Sequence, residues 1–507
     1  MTASDDPIER TAYVDTFFKE LSPTWLNYVA ALHGVAPCRL DRPFAYAELG
    51  CGFGQTVVTN AAAFPDARFV ACDINAQHIA AARRYADALG VRNLDLLPTS
   101  FDEIARRDLP PFDFVVLHGV YSWIGDDAKR AVRTFIRRHL KPGGMAYVSY
   151  NCLPGWAVDI PLRRLFRELA TGGSDDIGEA LARGLRSVGR LADAKLAFFT
   201  AHPELRELVK SLAKRAPGYL AHEYLGERWN ASYCVDVSDD LREADLHYVG
   251  SATLADNHPA LTTADEASGA ISALPTARQR RIADDFATNR SFRRDVFVRG
   301  ETATTNSSHL DEVVVGRLES VESLEPRVRV PRGIVTFQDA FVTELRRLLA
   351  RGPLTVGEIA DGLRPRAADA NEVVRNLTIL LAAGELTPFA RRTAYSSSSS
   401  GRQRVDEAAR GALAHAVEHR VARAIPSRTL GNGVEIQPLD ALALTEWLAE
   451  PVDGAALARR VAERMRRERW IAADSAFEID AGALAAATKT VDTLCPMLQR
   501  LGLLTPV

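Results

Sequence analysis

The chain has 507 residues, of which 47% are hydrophobic and 25% charged, the composition of a globular protein rather than of a disordered or fibrous one. Its length predicts about three domains. The 62 basic residues are balanced by 65 acidic ones, for a net charge of -3, so bulk electrostatics give no reason to expect a nucleic-acid partner.

The sequence also predicts the cellular location of the protein and the state of its cysteines. No run of about 20 apolar residues is present, which argues against a membrane protein. The first ten residues are acidic and polar, whereas a secretory signal is basic and then apolar, so we expect a cytoplasmic protein. The six cysteines are scattered singly without a Cys-x-x-Cys pair, which indicates reduced thiols and predicts no metal site.

The first 200 residues show two successive patterns. Apolar residues recur at helical spacing over residues 13–34, and residues 1–40 are interpreted as an N-terminal helical lid. From residue 44, patterns typical of strands alternate with helical ones. The predicted strands span residues 44–49, 68–72, 94–97, 112–117 and 145–150, and the predicted helices span 56–63, 76–89, 101–107 and 126–139. This alternation predicts an α/β fold with a doubly wound, mainly parallel sheet in residues 41–200.

Two further regions are expected. Residues 201–325 mix short strands and helices with many aromatic residues, and we interpret them as a separate, mixed domain. Residues 326–507 are predicted to be mainly helical. Within them, a helix, a short helix, another helix and a turn at Gly384 lead into a strand, which is a winged-helix pattern.

The most informative segment is Glu48-Leu-Gly-Cys-Gly-Phe-Gly-Gln55, where a strand turns into a helix. Glycines at such a turn allow positive φ and let a nucleoside lie against the backbone. A nicotinamide or flavin fingerprint needs a small residue at Gln55, so these cofactors are disfavoured. The Gly-x-Gly-x-Gly form preceded by Glu48 instead resembles the first motif of class I S-adenosylmethionine-dependent methyltransferases, and it implies their Rossmann-like core.

Later positions fit the same family in order. Asp73 ends the next strand, where a carboxylate can accept both ribose hydroxyls of a nucleoside. Ser100-Phe-Asp102 follows the third strand, where this family places residues that touch the adenine, and Lys141-Pro-Gly-Gly144 precedes the fifth. The resemblance implies S-adenosylmethionine as cofactor, and the residues predicted to bind it are Glu48, Gly50, Cys51, Gly52, Gly54, Asp73, Ile74, Ser100, Phe101 and His118.

The reacting centre is expected where the fourth and fifth strands end, since ligands bind outside the carboxyl ends of parallel strands. The fourth strand leads into His118-Gly-Val-Tyr-Ser-Trp123, without the prolines found in methyltransferases of planar nitrogens. Tyr121 and Trp123 are candidate aromatic walls for an amine or a sulfonium, although Trp123 could instead pack a helix. His118 could accept a proton or orient Tyr121. With Tyr150 on the fifth strand, these four residues form the predicted catalytic set.

Two segments indicate a particular group within this methyltransferase family. Residues 118–124 and 149–156 together resemble methyltransferases that carry a regulatory domain, including the rickettsial-type protein lysine methyltransferases. Tyr219-Leu-Ala-His-Glu-Tyr-Leu225 resembles that regulatory domain. His222 and Glu223 lack the second histidine of the His-Glu-x-x-His zinc motif, so we interpret them as a polar anchor between domains.

The resemblance implies methyl transfer to the lysine amine of a protein acceptor. The alternative is N- or O-methylation of a small molecule or natural product, because the same core serves both. A regulator that binds nucleic acid is disfavoured, since the presumed recognition helix, residues 371–383, offers only Arg375 as a cation. No membrane partner is expected, and a homodimer stays an open alternative.

Overall fold

A computed structural model describes residues 15–171, 176–215, 217–300, 306, 308–364, 370–395, 403–470 and 476–506. The first part of the predicted lid, residues 1–14, lies outside these ranges. The lid region that is described contains a short 3-10 helix, Lys19–Leu21, and helix α1, Pro23–Leu32. Helix α1 is almost entirely buried: the indole of Trp25 donates to the carbonyl of Ala252 at 2.8 Å, and Tyr28 contacts Thr378. The helix therefore braces the molecule from within.

The main sheet has the predicted doubly wound architecture. Its strands are β1 (Ala45–Leu49), β2 (Arg68–Asp73), β3 (Leu94–Pro98), β4 (Phe112–Leu117), β5 (Leu140–Asn151), β6 (Leu246–Ser251) and β7 (Phe292–Arg299). They lie in the order β3-β2-β1-β4-β5-β7-β6. The first five are parallel, and β7 runs antiparallel to both of its neighbours. Strand β1 is buried at every position, as expected for a central strand with helices on both faces.

The helices that alternate with these strands also match the prediction. They are α2 (Gln55–Ala63), α3 (Ala76–Ala88), α4 (Phe101–Arg106) and α5 (Asp126–His139). Helix α4 begins with a capping box in which Ser100 and Glu103 bond to each other's backbone N–H groups. Ser100 thus has a structural role beside the cofactor contact that the sequence predicts.

The division between residues 41–200 and 201–325 stays a prediction, and the main sheet takes strands from both sides of it. Strands β6 and β7 come from the second of these regions, yet they complete the sheet of the first, because β7 pairs with β5 from Phe292 to Val298. Between β5 and β6 the chain forms α6 (Asp159–Ala170), α7 (Ile177–Asp193), α8 (Ala197–Ala201), α9 (Glu204–Leu212), α10 (Pro217–Leu220), a π-helical turn (Ala221–Leu225) and α11 (Cys234–Arg242). A core of its own, including Leu162, Phe166 and Phe199, holds most of this helical insertion together.

Between β6 and β7 lie a 3-10 turn (Leu254–Asn257), α12 (Pro259–Thr262), α13 (Asp265–Ser272) and α14 (Ala277–Ala287). The region that follows β7 contains α15 (Ser308–Asp311), β8 (Val314–Gly316), a 3-10 turn (Val321–Ser323), β9 (Arg327–Val330), β10 (Gly333–Thr336), α16 (Asp339–Leu349), β11 (Leu354–Thr355), α17 (Val356–Leu363), α18 (Ala370–Ala382) and β12 (Thr387–Phe389). Strands β11, β8 and β12 form a small antiparallel sheet beside α16, α17 and α18. The winged-helix assignment of this region stays a prediction.

The last hundred residues begin with β13 (Gln403–Val405), which pairs with the final strand. The other elements are α19 (Glu407–His419), β14 (Arg423–Ser427), β15 (Asn432–Ile436), α20 (Pro438–Ala449), α21 (Gly454–Arg467), α22 (Ala476–Lys489), a π-helical turn (Thr490–Leu494), α23 (Cys495–Arg500) and β16 (Leu504–Pro506). Strands β14 and β15 form a hairpin that packs on α2. Across the described ranges, none of the helices has the length and apolarity that crossing a bilayer requires.

Candidate active site

The carboxyl ends of β1 to β5 open into a cleft of about 2170 Å³. One end of it is formed by the glycine turn and the residues that follow β2 and β3. The other end lies beyond β4 and β5 and is walled by α6, α7 and residues 219–229. We call these the cofactor end and the acceptor end. The cleft is thus built jointly by the sheet and by the helical insertion.

Each of the ten predicted cofactor residues lines this cleft. Two of the glycines are required sterically as well as by conformation. Gly50 has φ +76°, and a Cβ there would lie 2.5 Å from Cγ2 of Val120. Gly54 has φ +73°, and a Cβ there would lie 2.6 Å from Cβ of Ala82 on α3. Positions 50 and 54 of the turn between β1 and α2 therefore tolerate no larger residue, and the backbone there can approach a ligand closely.

Asp73 organises the same turn from the neighbouring strand. Its Oδ2 accepts the backbone N–H of Gly52 and its Oδ1 that of Asn75, both at 2.9 Å. His78 Nδ1 lies 3.3 Å from Oδ1. A carboxylate has about four lone-pair sites, so Asp73 can accept further hydrogen bonds from a ligand's hydroxyl groups. Ile74, next in the chain, is 52% exposed although apolar, and it lines the cleft beside this carboxylate.

Glu48 is the second carboxylate at the cofactor end. Its side chain is buried, and among the described residues its Oε2 has no hydrogen-bond partner. Burial, and to a smaller extent the charge of Asp73, raises the pKa of Glu48 to about 8. A buried acceptor without a partner is costly unless a donor fills the site. Glu48 is therefore suited to a ligand that brings an N–H group or a positive charge.

His118 lies where the cofactor and acceptor ends meet. Its Nδ1 is 2.8 Å from the hydroxyl of Tyr147, and its ring centroid lies 3.8 Å from that of Phe18. Burial, with a smaller contribution from Arg294, lowers the pKa of His118 to about 3. The hydroxyl that His118 contacts is that of Tyr147, whereas the hydroxyl of Tyr121 donates to Asp240, so the predicted role of orienting Tyr121 stays a prediction. A ring with so low a pKa is also a poor proton acceptor at neutral pH.

Two of the four predicted catalytic residues do not line the cleft. The hydroxyl of Tyr121 donates to Asp240 on α11, and that of Tyr150 donates to Asp295 on β7 at 2.6 Å. Both rings are buried in a hydrophobic core with Leu117 and Val148, and neither residue lines the cleft. Successive residues of a strand face opposite sides, so Tyr150 points away where Asn151 points in. Trp123, the remaining member of the set, does line the cleft.

The acceptor end contains residues that the sequence interpretation did not assign to catalysis. Asn151 Nδ2 donates to Glu223 Oε2 at 3.4 Å, and the indole of Trp229 donates to the same oxygen at 2.9 Å. Trp156 and Trp229 meet edge to face with centroids 4.6 Å apart. Glu223 was interpreted as a polar anchor between domains; that role stays a prediction, and its side chain is also part of the cleft wall. In the described part of the chain, no three His, Cys, Asp or Glu side chains gather as metal ligands would.

The strand order 3-2-1-4-5-7-6 with an antiparallel seventh strand, the glycine turn after β1 and the carboxylate that ends β2 define a class I S-adenosylmethionine-dependent methyltransferase. The family model described as a methyltransferase domain matches residues 47–146, and the one described as a predicted methyltransferase regulatory domain matches residues 216–299. Uncharacterized protein sll1526 of Synechocystis sp. is 32% identical over 449 residues, 88% of either chain. The chain belongs to the family of methyltransferases that carry this regulatory domain.

Two other known proteins are similar to the chain. The solved structure of PKMT2 from Rickettsia typhi has a TM-score of 0.70 at 19% identity and covers 97% of this chain and 100% of that one. A structure of the same protein in complex with AdoHcy gives a TM-score of 0.71. Trans-aconitate 2-methyltransferase of Azoarcus sp. is 26% identical over 260 residues, 50% of this chain and 88% of the relative. At these identities the structural likeness establishes the fold.

Proposed function

We propose that this enzyme methylates the side-chain amine of a lysine in a protein acceptor. The observation that carries the proposal is the cleft, whose volume of about 2170 Å³ exceeds the roughly 300 to 1,000 Å³ of ordinary small-molecule sites. A cofactor and a small acceptor would leave much of this space unfilled, whereas a polypeptide segment could occupy it. The resemblance of residues 118–124 and 149–156 to rickettsial-type protein lysine methyltransferases supports the same acceptor class.

The cofactor end fits S-adenosylmethionine by the chemistry of its donors and acceptors. Glu48 offers a buried oxygen that has no partner among the described residues, and Asp73 offers acceptor sites for hydroxyl groups. Ile74 and Phe101 add apolar surface for a base, and Gly50 lets the backbone approach closely. When bound, S-adenosylmethionine supplies a methyl group on a positively charged sulfur, which a neutral amine can accept.

The acceptor end is suited to orienting an amine. Because the carboxylate of Glu223 only accepts hydrogen bonds, the Nδ2 of Asn151 must face it, and the Oδ1 of Asn151 is left as an acceptor on the cleft side. An N–H of the incoming amine would bond to this Oδ1 and so aim the nitrogen lone pair. Trp156 and Trp229 exclude water beside it and can attract an alkylammonium by cation–π interaction.

The amine must lose its proton before it reacts, because a lysine with a pKa of about 10.4 is charged in neutral water. Burial against the aromatic side chains of the acceptor end disfavours the charged form and lowers this pKa. His118 stays unprotonated at neutral pH, since its pKa is about 3. We therefore assign the proton to solvent as the amine enters the acceptor end, and we assign no base role to His118.

The proposal is tested with cofactor that carries a radioactive methyl group. The enzyme is incubated with a cell lysate, which is then separated into protein and small-molecule fractions. Label in the protein fraction that is lost with Asp73→Ala would support the proposal. Label confined to small molecules would refute it and favour the alternative acceptor class, a small molecule or natural product.

We also propose that this reaction takes place in the cytoplasm. All six cysteines are unpaired thiols, five of them buried. Disulfides are rare in the reducing cytoplasm and common in secreted proteins, so the absence of any pair among these six described residues supports this location.

A further inference from the structure

The chain segment ahead of α1 forms part of the cofactor end of the cleft. Asp15, Thr16 and Phe18 line it together with the glycine turn. The backbone N–H of Phe18 donates to the hydroxyl of Thr56 on α2 at 3.1 Å, and the ring of Phe18 stacks near His118. We call residues 15–18 the N-terminal strap. Its position makes it a wall of the site that the methyl donor needs.

The strap is held by the hairpin of β14 and β15, more than 400 residues away in the chain. Arg423 Nη1 lies 2.8 Å from Asp15 Oδ2, and the two side chains are only 8% and 25% exposed. Arg423 Nε also donates to His415 Nδ1 at 3.1 Å. Asn432 Nδ2 donates to the carbonyl of Lys19, just after the strap, at 3.2 Å. The strap is therefore bonded to the C-terminal region on both sides of Phe18.

The same hairpin is fixed to the helices of the cofactor end. Gln55, the first residue of α2, donates its side-chain amide to the carbonyl of Ala422 at 3.1 Å. On α3, the hydroxyl of Tyr85 donates to the carbonyl of Ala424, and the guanidinium of Arg423 lies 5.0 Å from the ring of Tyr85. The hairpin thus bridges α2, α3 and the strap. These contacts all lie at the cofactor end of the cleft.

We propose that Arg423 is a positioning residue for the cofactor and that it acts through Asp15 by holding the strap across the cofactor end. Residues 403–506 then have a defined role, since they complete the site that binds the methyl donor. An ion pair as buried as this one is costly to break from one side, because the remaining charge is left without its partner. Loss of either charge should therefore free the strap and weaken cofactor binding.

The test is calorimetric titration of AdoHcy into the full-length protein. We expect Arg423→Gln and Asp15→Asn each to raise the dissociation constant about fivefold. The double variant should raise it no further, because each single substitution already removes the same ion pair. Arg420→Gln is the matched control. Arg420 lies three residues earlier and is exposed, and its guanidinium bonds to the carbonyls of Glu468 and Arg469, away from the strap. Its loss should leave the dissociation constant unchanged.

A purely structural ion pair is distinguished by the melting temperature of the protein without ligand. If Arg423→Gln lowers that temperature while the dissociation constant of AdoHcy stays at the wild-type value, the proposal is wrong. Should Arg423→Gln fail to fold, Asp15→Asn carries the same test, because the side chain of Asp15 is the more exposed of the two, at 25% against 8%. Additive effects of the two substitutions on binding would also overturn the proposal.

Discussion

The two ends of the cleft are assembled differently. The cofactor end is built mainly from short segments that directly follow β1, β2 and β3, all within residues 48–102. The acceptor end combines the ends of β4 and β5 with side chains from residues 219–229 and 291–292, which are far away in the chain. A cofactor site made of strand-end motifs can be conserved in form while the acceptor site changes with the insertion that walls it. We therefore propose that the helical insertion sets the choice of acceptor.

The largest effect that would separate the two ends is expected from Asp73→Ala. The substitution removes the acceptor that holds Gly52 N–H and the one that would bind the ligand, so we expect the dissociation constant of AdoHcy to rise at least about 100-fold. Calorimetry measures it. Asp95→Ala is the matched control: this carboxylate lies on the neighbouring β3, is exposed, and pairs with Arg68 at 3.4 Å, away from the glycine turn. Undiminished affinity in Asp73→Ala would remove this residue from the site.

At the acceptor end, Asn151→Ala should lower kcat/KM for the acceptor about 30-fold, because the amine loses its acceptor and Glu223 loses a donor. The affinity for AdoHcy should stay within about twofold of wild type. Titration and steady-state kinetics with a labelled protein acceptor measure the two quantities. A matching loss of AdoHcy affinity would show that the two ends are not separable.

Glu48 makes cofactor affinity depend on pH. With a pKa of about 8 the free carboxyl holds a proton at lower pH, and a ligand cation or N–H group must displace it. Apparent affinity should therefore rise about tenfold between pH 6.5 and pH 8 and level off above that. Calorimetry in buffers of different ionisation enthalpy should count close to one proton released at pH 6.5. In Glu48→Gln the pH dependence and the proton release should both be absent, and their persistence would assign them to another group.

The smallest kinetic effects are expected from Tyr121→Phe and Tyr150→Phe. Each removes a buried hydroxyl bonded to a carboxylate outside the cleft, so unfolding free energy should fall by about 1 to 3 kcal/mol per substitution. Values of kcat and KM should remain within about twofold of wild type, since neither Tyr121 nor Tyr150 lines the cleft. Thermal melts and initial rates measure the two effects. A large drop in kcat at unchanged stability would restore the catalytic role that the sequence suggested.

The sequence predicted the cofactor end well for a physical reason. A strand followed by a glycine turn, and an acid at the end of the next strand, are local patterns whose spatial meeting is guaranteed by a parallel sheet. The same reasoning found the five parallel strands but not β6 and β7, whose short patterns lie after a long helical insertion. Nothing local indicated that they return to β5 and extend the first sheet.

The residues of the acceptor end could not be predicted from local sequence patterns. Strand β5 is buried on both faces, so its apolar pattern does not tell which of Tyr150 and Asn151 points into the cleft. Tyr150 was predicted to be catalytic because of its side-chain chemistry. The alternation of side chains along the strand instead directs Asn151 into the cleft. Glu223 and Trp229 reach the site only through the fold of the insertion. Gln55, which argued against a dinucleotide, has its partner in Ala422, a contact that spans 367 residues.

A protein lysine is the acceptor that we propose for this enzyme, and the most direct test is to identify the labelled amino acid. Protein labelled by the wild-type enzyme with radioactive S-adenosylmethionine is hydrolysed completely and its amino acids are separated. We expect the label to elute with Nε-methylated lysine. We also expect Asn151→Ala to lower the amount of labelled methyllysine strongly. Label in a methylated arginine, glutamine or carboxyl group, or in no protein residue at all, would contradict the claim.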